Sequence, residues 1–183
     1  HGRGERRGVR TQWGGEREAK RETVGDRHAS TLLSINNMGG LLKAMGKLEE
    51  AMPLCEEDLQ ASRETLGDRR PGTLGSINNM GALLKQMGQL EEARPLYEEA
   101  LQAKRETLGD RHPSTLLSIN NMGGLLKAMG KLEEAMPLCE EDLQASRETL
   151  GDRHPDTLGS INNMGALLKQ MGQLEEARTL YEG

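Results

Sequence analysis

The chain has 183 residues and a net charge of −5, and this mild acidity does not favour a nucleic-acid-binding protein, which would be basic. Aromatic residues make up only 2% of the chain and Phe is absent, so any core must be built from Leu, Met, Ile and Ala. Such side chains suit thin stacked layers better than one deep core. No apolar run approaches the roughly 20 residues of a membrane-spanning helix, and no secretory signal is visible.

The sequence consists mainly of repeats of 42 residues, which begin at Thr31, Thr73, Thr115 and Thr157. Residues 31–69 are identical to 115–153, and 73–94 are identical to 157–178, so the larger repeat is a pair of 84 residues. We expect one array over 18–183, divided into repeats 31–72, 73–114, 115–156 and a truncated 157–183. Residues 1–17 are rich in Arg and Gly, lack apolar periodicity and are expected to be disordered.

Each repeat contains two segments with helical spacing of apolar residues, here called the A helix and the B helix. The stripe of the first A helix consists of Leu32, Ile35, Met38, Leu42 and Met45. The stripe of the first B helix consists of Leu48, Ala51, Leu54, Cys55, Leu59 and Leu66. Gly46 and Gly67 follow the two segments, as Gly commonly does past the C-terminus of a helix.

The turn between repeats reads DRRP or DRHP, and its Pro can begin the next helix but cannot continue the previous one. The N-cap of the third A helix is either His112 or Ser114. Neither helix of a repeat can bury its stripe alone, so the helix hairpins should stack on one another. The expected fold class is all-α, a right-handed αα-solenoid of stacked helix hairpins.

The positions Ile35, Met38-Gly39, Leu42 and Ala51 resemble the tetratricopeptide signature, in which Gly39 and Ala51 are small because the A and B helices approach closely. The period of 42 residues and the segments INNMG, LEEARPLYEEAL and RETLGDRHPST are similar to those of kinesin light chains. The signature Trp is Ile here, and the B-helix aromatic residue is Tyr97 only in the even repeats. The resemblance implies a tetratricopeptide-like solenoid and a protein–protein interaction scaffold.

Two adjacent asparagines, Asn36 and Asn37, lie in the middle of the first A helix and recur in every repeat, although Asn is a poor helix former. The resemblance implies that the A helices line a concave groove and that the position of Asn37 holds the main chain of a bound peptide. An amide suits this role because it carries both a donor and an acceptor. Lys43 lies near the asparagines and would favour acidic residues or a terminal carboxylate.

The candidate peptide-binding residues are Asn36, Asn37, Lys43, Asn78, Asn79, Lys85, Asn120, Asn121, Lys127, Asn162, Asn163 and Lys169. An alternative is that the asparagines bridge neighbouring A helices and hold them together. For the first Asn of each pair we favour this structural role, whereas for the second Asn we favour contact with a bound peptide. For the lysines we weigh two interpretations equally, namely ligand binding and simple exposure to solvent.

No catalytic motif accompanies the repeats, so we expect no enzyme activity, no cofactor and no metal site. His112 recurs in the turn between repeats, and Cys55 and Cys139 lie on the core stripe as reduced residues, which is consistent with the cytoplasm. The expected partner is a protein or peptide, with no membrane and no nucleic acid. The alternative is a structural or self-associating solenoid without a groove ligand, because the array has no capping helix and should expose its ends.

Overall fold

The structure, a computed structural model of the chain, describes residues 29–182, and every regular element in that range is an α-helix. The A helices are α1 (Ala29–Ala44), α3 (Pro71–Gln86), α5 (Pro113–Ala128) and α7 (Pro155–Gln170). The B helices are α2 (Leu48–Leu66), α4 (Leu90–Leu108), α6 (Leu132–Leu150) and α8 (Leu174–Glu182). The all-α prediction is therefore confirmed for these residues. The tail predicted for residues 1–17, and residues 18–28 of the predicted array, lie outside the described range.

The chain divides into two units, His1–Leu83 and Leu84–Gly183, here called the N-terminal and the C-terminal unit. In the N-terminal unit α1 packs against α2 as a hairpin. In the C-terminal unit α5 packs against α4 and α6, α7 packs against α6 and α8, and the two A helices α5 and α7 also contact each other. Within each unit, sequential helices are thus neighbours in space, as predicted for stacked hairpins.

The helix ends are set by the turn residues that the sequence identified. His112 is the N-cap of α5, because its Nδ1 accepts a hydrogen bond of 3.1 Å from the backbone N–H of Ser114, and Pro113 occupies the first turn. Gly46 and Gly67 adopt φ values of 72° and 89° after the first A and B helices. Only Gly enters this left-handed region readily, so these residues end the helices.

The core follows the predicted stripes with three corrections. Ile35 and Ala51 are fully buried, as predicted, but Met45 and Leu66 are 58% and 44% exposed, because Met45 follows the last residue of α1 and Leu66 is the last residue of α2. The position that follows the Gly pair of the A helix was missed, and its occupant in α5, Leu125, has no exposed surface. The stripe of the A helix is therefore wider than the predicted one.

The Thr that begins each repeat joins one hairpin to the next. Thr73 is completely buried, and its hydroxyl donates to the backbone oxygens of Ser62 and Gly67 over 3.2 and 2.8 Å. Thr157 makes the equivalent bond to the oxygen of Ser146 over 3.3 Å. The hydroxyl thus ties the start of an A helix to the backbone of the C-terminal part of the preceding B helix.

Candidate peptide-binding face

The asparagines of neighbouring A helices bond to each other within both units. In the N-terminal unit, Nδ2 of Asn79 donates a hydrogen bond of 2.8 Å to Oδ1 of Asn36. In the C-terminal unit, Asn163 donates to Asn120 in the same way. The second Asn of one repeat therefore binds the first Asn of the repeat before it. Bonds of this kind are what the bridging interpretation requires.

Each of these bonds uses only part of the hydrogen-bonding capacity of the two amides. An Asn side chain has two N–H donors and an oxygen with two lone pairs. In the bonded pair, Asn79 keeps its own oxygen and one N–H, and Asn36 keeps its NH₂ group. A bridging role for the amides is therefore compatible with a further contact to a bound peptide.

One lysine of the C-terminal unit bonds to these amides, and a second lies close to the backbone of α5. Nζ of Lys127 donates to Oδ1 of Asn163 over 3.3 Å, so this ammonium group joins the hydrogen-bonded pair of Asn163 and Asn120. Nζ of Lys85 lies close to the backbone of α5 at Gly124, where an added Cβ would come within 3.0 Å of the ammonium. A small residue at this position therefore makes room for the lysine side chain.

Burial lowers the pKa of Lys85, and the positive charge of Lys127 lowers it further. Two ammonium groups thus influence each other on one face of the C-terminal unit. Among the described residues, no ion pair joins either lysine to a carboxylate. This part of the face is suited to an anionic group, because a carboxylate would relieve the repulsion.

The remaining candidate residues differ in exposure although they occupy equivalent sequence positions. Asn37, Asn162 and Lys169 are exposed, whereas Lys43, Asn78 and Asn121 are half-buried. The structure places all twelve candidates on the A helices α1, α3, α5 and α7. It brings Asn36 and Asn79 together in one unit, and Asn120, Lys127 and Asn163 in the other.

Buried polar residues between the hairpins were missed at the sequence level. Lys104 is only 5% exposed, and its Nζ donates to Oγ of Ser118 over 2.8 Å and to the backbone oxygen of Ser114 over 3.1 Å. Asp142 and Ser146 are equally buried at the corresponding junction between α6 and α7. One signal for these residues was present in the sequence. Asp142 and Ser146 of α6 stand at the positions of Ala100 and Lys104 in α4, although the two B helices are otherwise similar.

The B helices α4 and α6 are joined by ion pairs on their exposed side. Arg94 binds Glu134 over 3.0 Å, and Arg105 binds Glu141 over 2.5 Å. Some of the glutamates on the exposed side of the B helices therefore connect neighbouring hairpins. Each such surface pair is worth at most about 1 kcal/mol.

Nothing in the described residues resembles a reactive or metal-binding centre. Cys55 and Cys139 are buried free thiols, and burial raises the pKa of both. A raised pKa disfavours the thiolate and hence nucleophilic chemistry. Residues 29–182 contain no group of three His, Cys, Asp or Glu side chains that could hold a metal ion. None of the helices in that range is long and apolar enough to cross a membrane.

The chain belongs to the tetratricopeptide repeat family, whose model matches residues 28–106, 73–141 and 115–182. This match confirms the resemblance seen in the sequence, and it confirms the αα-solenoid class of stacked helix hairpins. Repeats of this family mediate protein–protein interactions. No curated protein sequence matches the chain.

Solved structures specify the kind of repeat. A kinesin light chain of Podospora anserina with nearly identical tetratricopeptide-like repeats is 28% identical, with a TM-score of 0.79, and the match covers 93% of this chain and 81% of that one. A single-residue variant of the same protein gives 28% identity and a TM-score of 0.81. BtubC (BKLC) from P. vanneervenii shares the fold at 21% identity, with a TM-score of 0.81 and coverage of 98% and 71%. The repeats are therefore of the kinesin light chain-like type.

Proposed function

We propose that this chain is a non-enzymatic, cytoplasmic scaffold that binds an extended segment of a partner protein. The segment would lie along the A-helix face that carries the asparagines and lysines, in the concave groove expected for this class. Its acidic side chains or terminal carboxylate would lie near the lysines. This proposal extends the interaction role of the family to one face of the repeats.

The observation that carries the proposal is the lysine pair of the C-terminal unit. Lys85 and Lys127 are close enough for the charge of one to lower the pKa of the other, and Lys85 is half-buried. The neighbouring amide of Asn163 already accepts a hydrogen bond from Lys127. A peptide carboxylate could bind the two ammonium groups, and the amides could bind the peptide main chain.

The experiment is a peptide-array selection with the purified chain, followed by anisotropy titration of the enriched peptides. For an acidic peptide, Lys85→Gln should lower the affinity about tenfold, because one of two adjacent cations is removed. The salt dependence of binding should become weaker in the same variant. Lys131→Gln is the matched control, since Lys131 lies at the start of α6 and faces Glu91 over 3.8 Å.

Two outcomes would contradict the proposal. One is that the array enriches no peptide. The other is that Lys85→Gln and Lys131→Gln bind the enriched peptides equally well. In either case the lysines belong to a solvated face.

A second candidate function, a structural solenoid without a groove ligand, is favoured by the bond between Asn79 and Asn36. On this alternative, Asn79→Ala lowers the melting temperature and there is no binding to lose. On the leading proposal, Asn37→Ala reduces peptide affinity and leaves the melting temperature unchanged, because the side chain of Asn37 is exposed. The two variants, measured together, separate the two functions.

A further inference from the structure

We propose that the C-terminal unit binds a phosphorylated side chain of its partner between Lys85 and Lys127. The inference rests on the proposed function, because it concerns the same face, and it narrows the anion from a carboxylate to a phosphate monoester. Three observations support it: the placement of the two ammonium groups, the hydrogen-bond donors that remain free around them, and the small residue against which one of them lies.

The two lysines share one face of the helix α5. Gly124 and Lys127 are three residues apart in this helix, so they are neighbours on its surface, with Cβ positions about 5–6 Å apart. Nζ of Lys85 lies 3.0 Å from the position that a Cβ of Gly124 would occupy. The ammonium of Lys85 is therefore about one helical turn from the base of the Lys127 side chain. A single small anion can thus reach both ammonium groups.

The hydrogen bonds around Lys127 leave mainly donors unused. Oδ1 of Asn163 accepts from Nζ of Lys127 over 3.3 Å, and Oδ1 of Asn120 accepts from Asn163. Both amide oxygens are therefore engaged. Within the described part of the chain, Asn120 keeps its NH₂ group, Asn163 keeps one N–H and Lys127 keeps two. A ligand at this place should consist of acceptors, and the oxygens of a phosphate dianion are strong acceptors, whereas a peptide main chain also brings donors.

The charge of the lysine pair is matched better by a phosphate than by a carboxylate. Among residues 29–182, neither Lys85 nor Lys127 forms an ion pair with a carboxylate. Burial and the charge of Lys127 both lower the pKa of Lys85, as expected for a cation pair without a counter-charge. One carboxylate compensates one of the two positive charges, whereas a phosphorylated side chain carries about 1.5–2 negative charges at pH 7.

Gly124 gives Lys85 its place on the helix. Apart from its chain neighbours and the backbone of its own helix, a Cβ at Gly124 would have only Nζ of Lys85 within 4 Å. The ammonium therefore lies where a side chain is missing. In α7 the equivalent residue is Ala166, and there Lys127 bonds to Asn163. A half-buried lysine with a fixed position loses less conformational entropy when it binds a ligand.

The test is a peptide array that carries each peptide in three forms, with Ser, Glu or phosphoserine at one position. Anisotropy titration of the purified chain then compares the three forms of each enriched peptide. The phosphoserine form should bind about tenfold more tightly than the Glu form, because its additional negative charge lies near a second cation. Lys127→Gln should reduce this preference to about twofold, because one cation of the pair is removed.

Gly124→Ala tests the placement of Lys85 without removing a charge. The added methyl group displaces only the far end of a flexible side chain, so the helix and its packing are kept. We expect the phosphoserine peptide to bind about threefold more weakly, because the ammonium loses its fixed position. Gly40→Ala is the matched control and should leave the affinity unchanged. Gly40 is the equivalent residue of α1, and a Cβ there would meet no atom within 4 Å beyond its chain neighbours and its own helix backbone.

Other sources of phosphate are distinguished by competition. Inorganic phosphate alone and a short single-stranded RNA are each titrated against the bound phosphoserine peptide. Neither should displace it at the concentration at which the unlabelled peptide does, because the peptide main chain also bonds to the A-helix face. Displacement by either competitor at that concentration would overturn the proposal in favour of a free phosphate ion or a nucleic acid.

The outcomes separate this inference from the proposed function on which it rests. If the Glu and phosphoserine forms bind equally well, the inference is wrong and the proposed function stands. If no form of any peptide is enriched, both are wrong. If Gly124→Ala and Gly40→Ala bind the phosphoserine peptide equally well, the ammonium of Lys85 beside Gly124 does not hold the phosphate, and the inference is overturned.

Discussion

Lys104 donates a hydrogen bond of 2.8 Å from its ammonium to the hydroxyl of Ser118, and both side chains are buried between α4 and α5. At the other kind of junction, the equivalent serine, Ser160, lies beside the buried carboxyl of Asp142. The same serine therefore meets a cation at one junction and a carboxyl group at the next. The junction between α4 and α5 therefore differs chemically from the junction between α6 and α7, although the A helices α5 and α7 are nearly identical.

Removing Ser118 should be costly because it leaves a buried ammonium short of an acceptor. We expect Ser118→Ala to lower the free energy of unfolding by about 1–3 kcal/mol, measured by urea denaturation. In the background of Lys104→Met, the same serine change should cost much less, because no buried charge is left unpaired. Equal costs in the two backgrounds would show that the hydrogen bond does not stabilise the junction.

The carboxyl of Asp142 should give the protein a stability that depends on pH. Burial raises the pKa of Asp142 from 3.8 to about 6, although hydrogen bonds from Ser160 and Ser146 act in the opposite direction. The folded chain thus binds this proton more tightly than the unfolded chain does. The resulting stabilisation is complete below the unfolded pKa and is lost as the pH rises through about 6.

Asp142→Asn should remove this loss, because an amide does not ionise. The difference in free energy of unfolding between the variant and the wild type should grow as the pH rises from about 4 to about 6 and then level off. Asp58→Asn should behave in the same direction, since burial also raises the pKa of Asp58. A difference that does not change with pH would contradict this prediction.

Much of the fold could be predicted, because the repeat period and the Gly and Pro residues of the turns are visible in short stretches of the sequence. The helices end at residues such as Gly67, where the left-handed φ requires Gly, and begin at prolines such as Pro113. Which leucine faces the core was harder to predict. Leu41 and Leu125 have the same local sequence, yet one is 48% exposed and the other is buried, because only packing against a neighbouring hairpin decides this.

The candidate site could be predicted less completely. Sequence spacing indicated that Asn36 and Asn79 belong to one face, but not that they bond to each other, since this depends on the offset between adjacent A helices. The burial of the Lys104 ammonium was indicated only by the change from Ser to Lys at this position of the B helix, and a lysine in a charged helix normally reaches solvent.

Gly123 should be required where the A helix α5 crosses the B helix α6. A Cβ at this position would lie 3.0 Å from Sγ of Cys139, which is closer than ordinary contact. We therefore expect Gly123→Ala to lower the melting temperature, with a cost of about 1–3 kcal/mol from overpacking. Adding Cys139→Ala should recover part of this loss.

Gly159→Ala is the matched control for this variant. Apart from its chain neighbours and the backbone of its own helical turn, no atom lies within 4 Å of a Cβ at Gly159 in the helix α7, so the change should stabilise the chain by up to about 1 kcal/mol through helix propensity. If Gly123→Ala and Gly159→Ala shift the melting temperature equally, close packing at Gly123 plays no part.

The bond between Asn36 and Asn79 should appear as a coupling energy in a double-mutant cycle. Each single change to Ala removes one partner, and the double change removes both, so the cycle isolates the interaction. We expect a coupling of about 1 kcal/mol in the free energy of unfolding, as for a part-buried neutral hydrogen bond. A cycle of Asn37 with Asn79 is the control, because Asn37 is exposed and should show no coupling. A coupling near zero for Asn36 and Asn79 would mean that the amide pair does not hold the A helices together, and that both asparagines are fully available to a ligand.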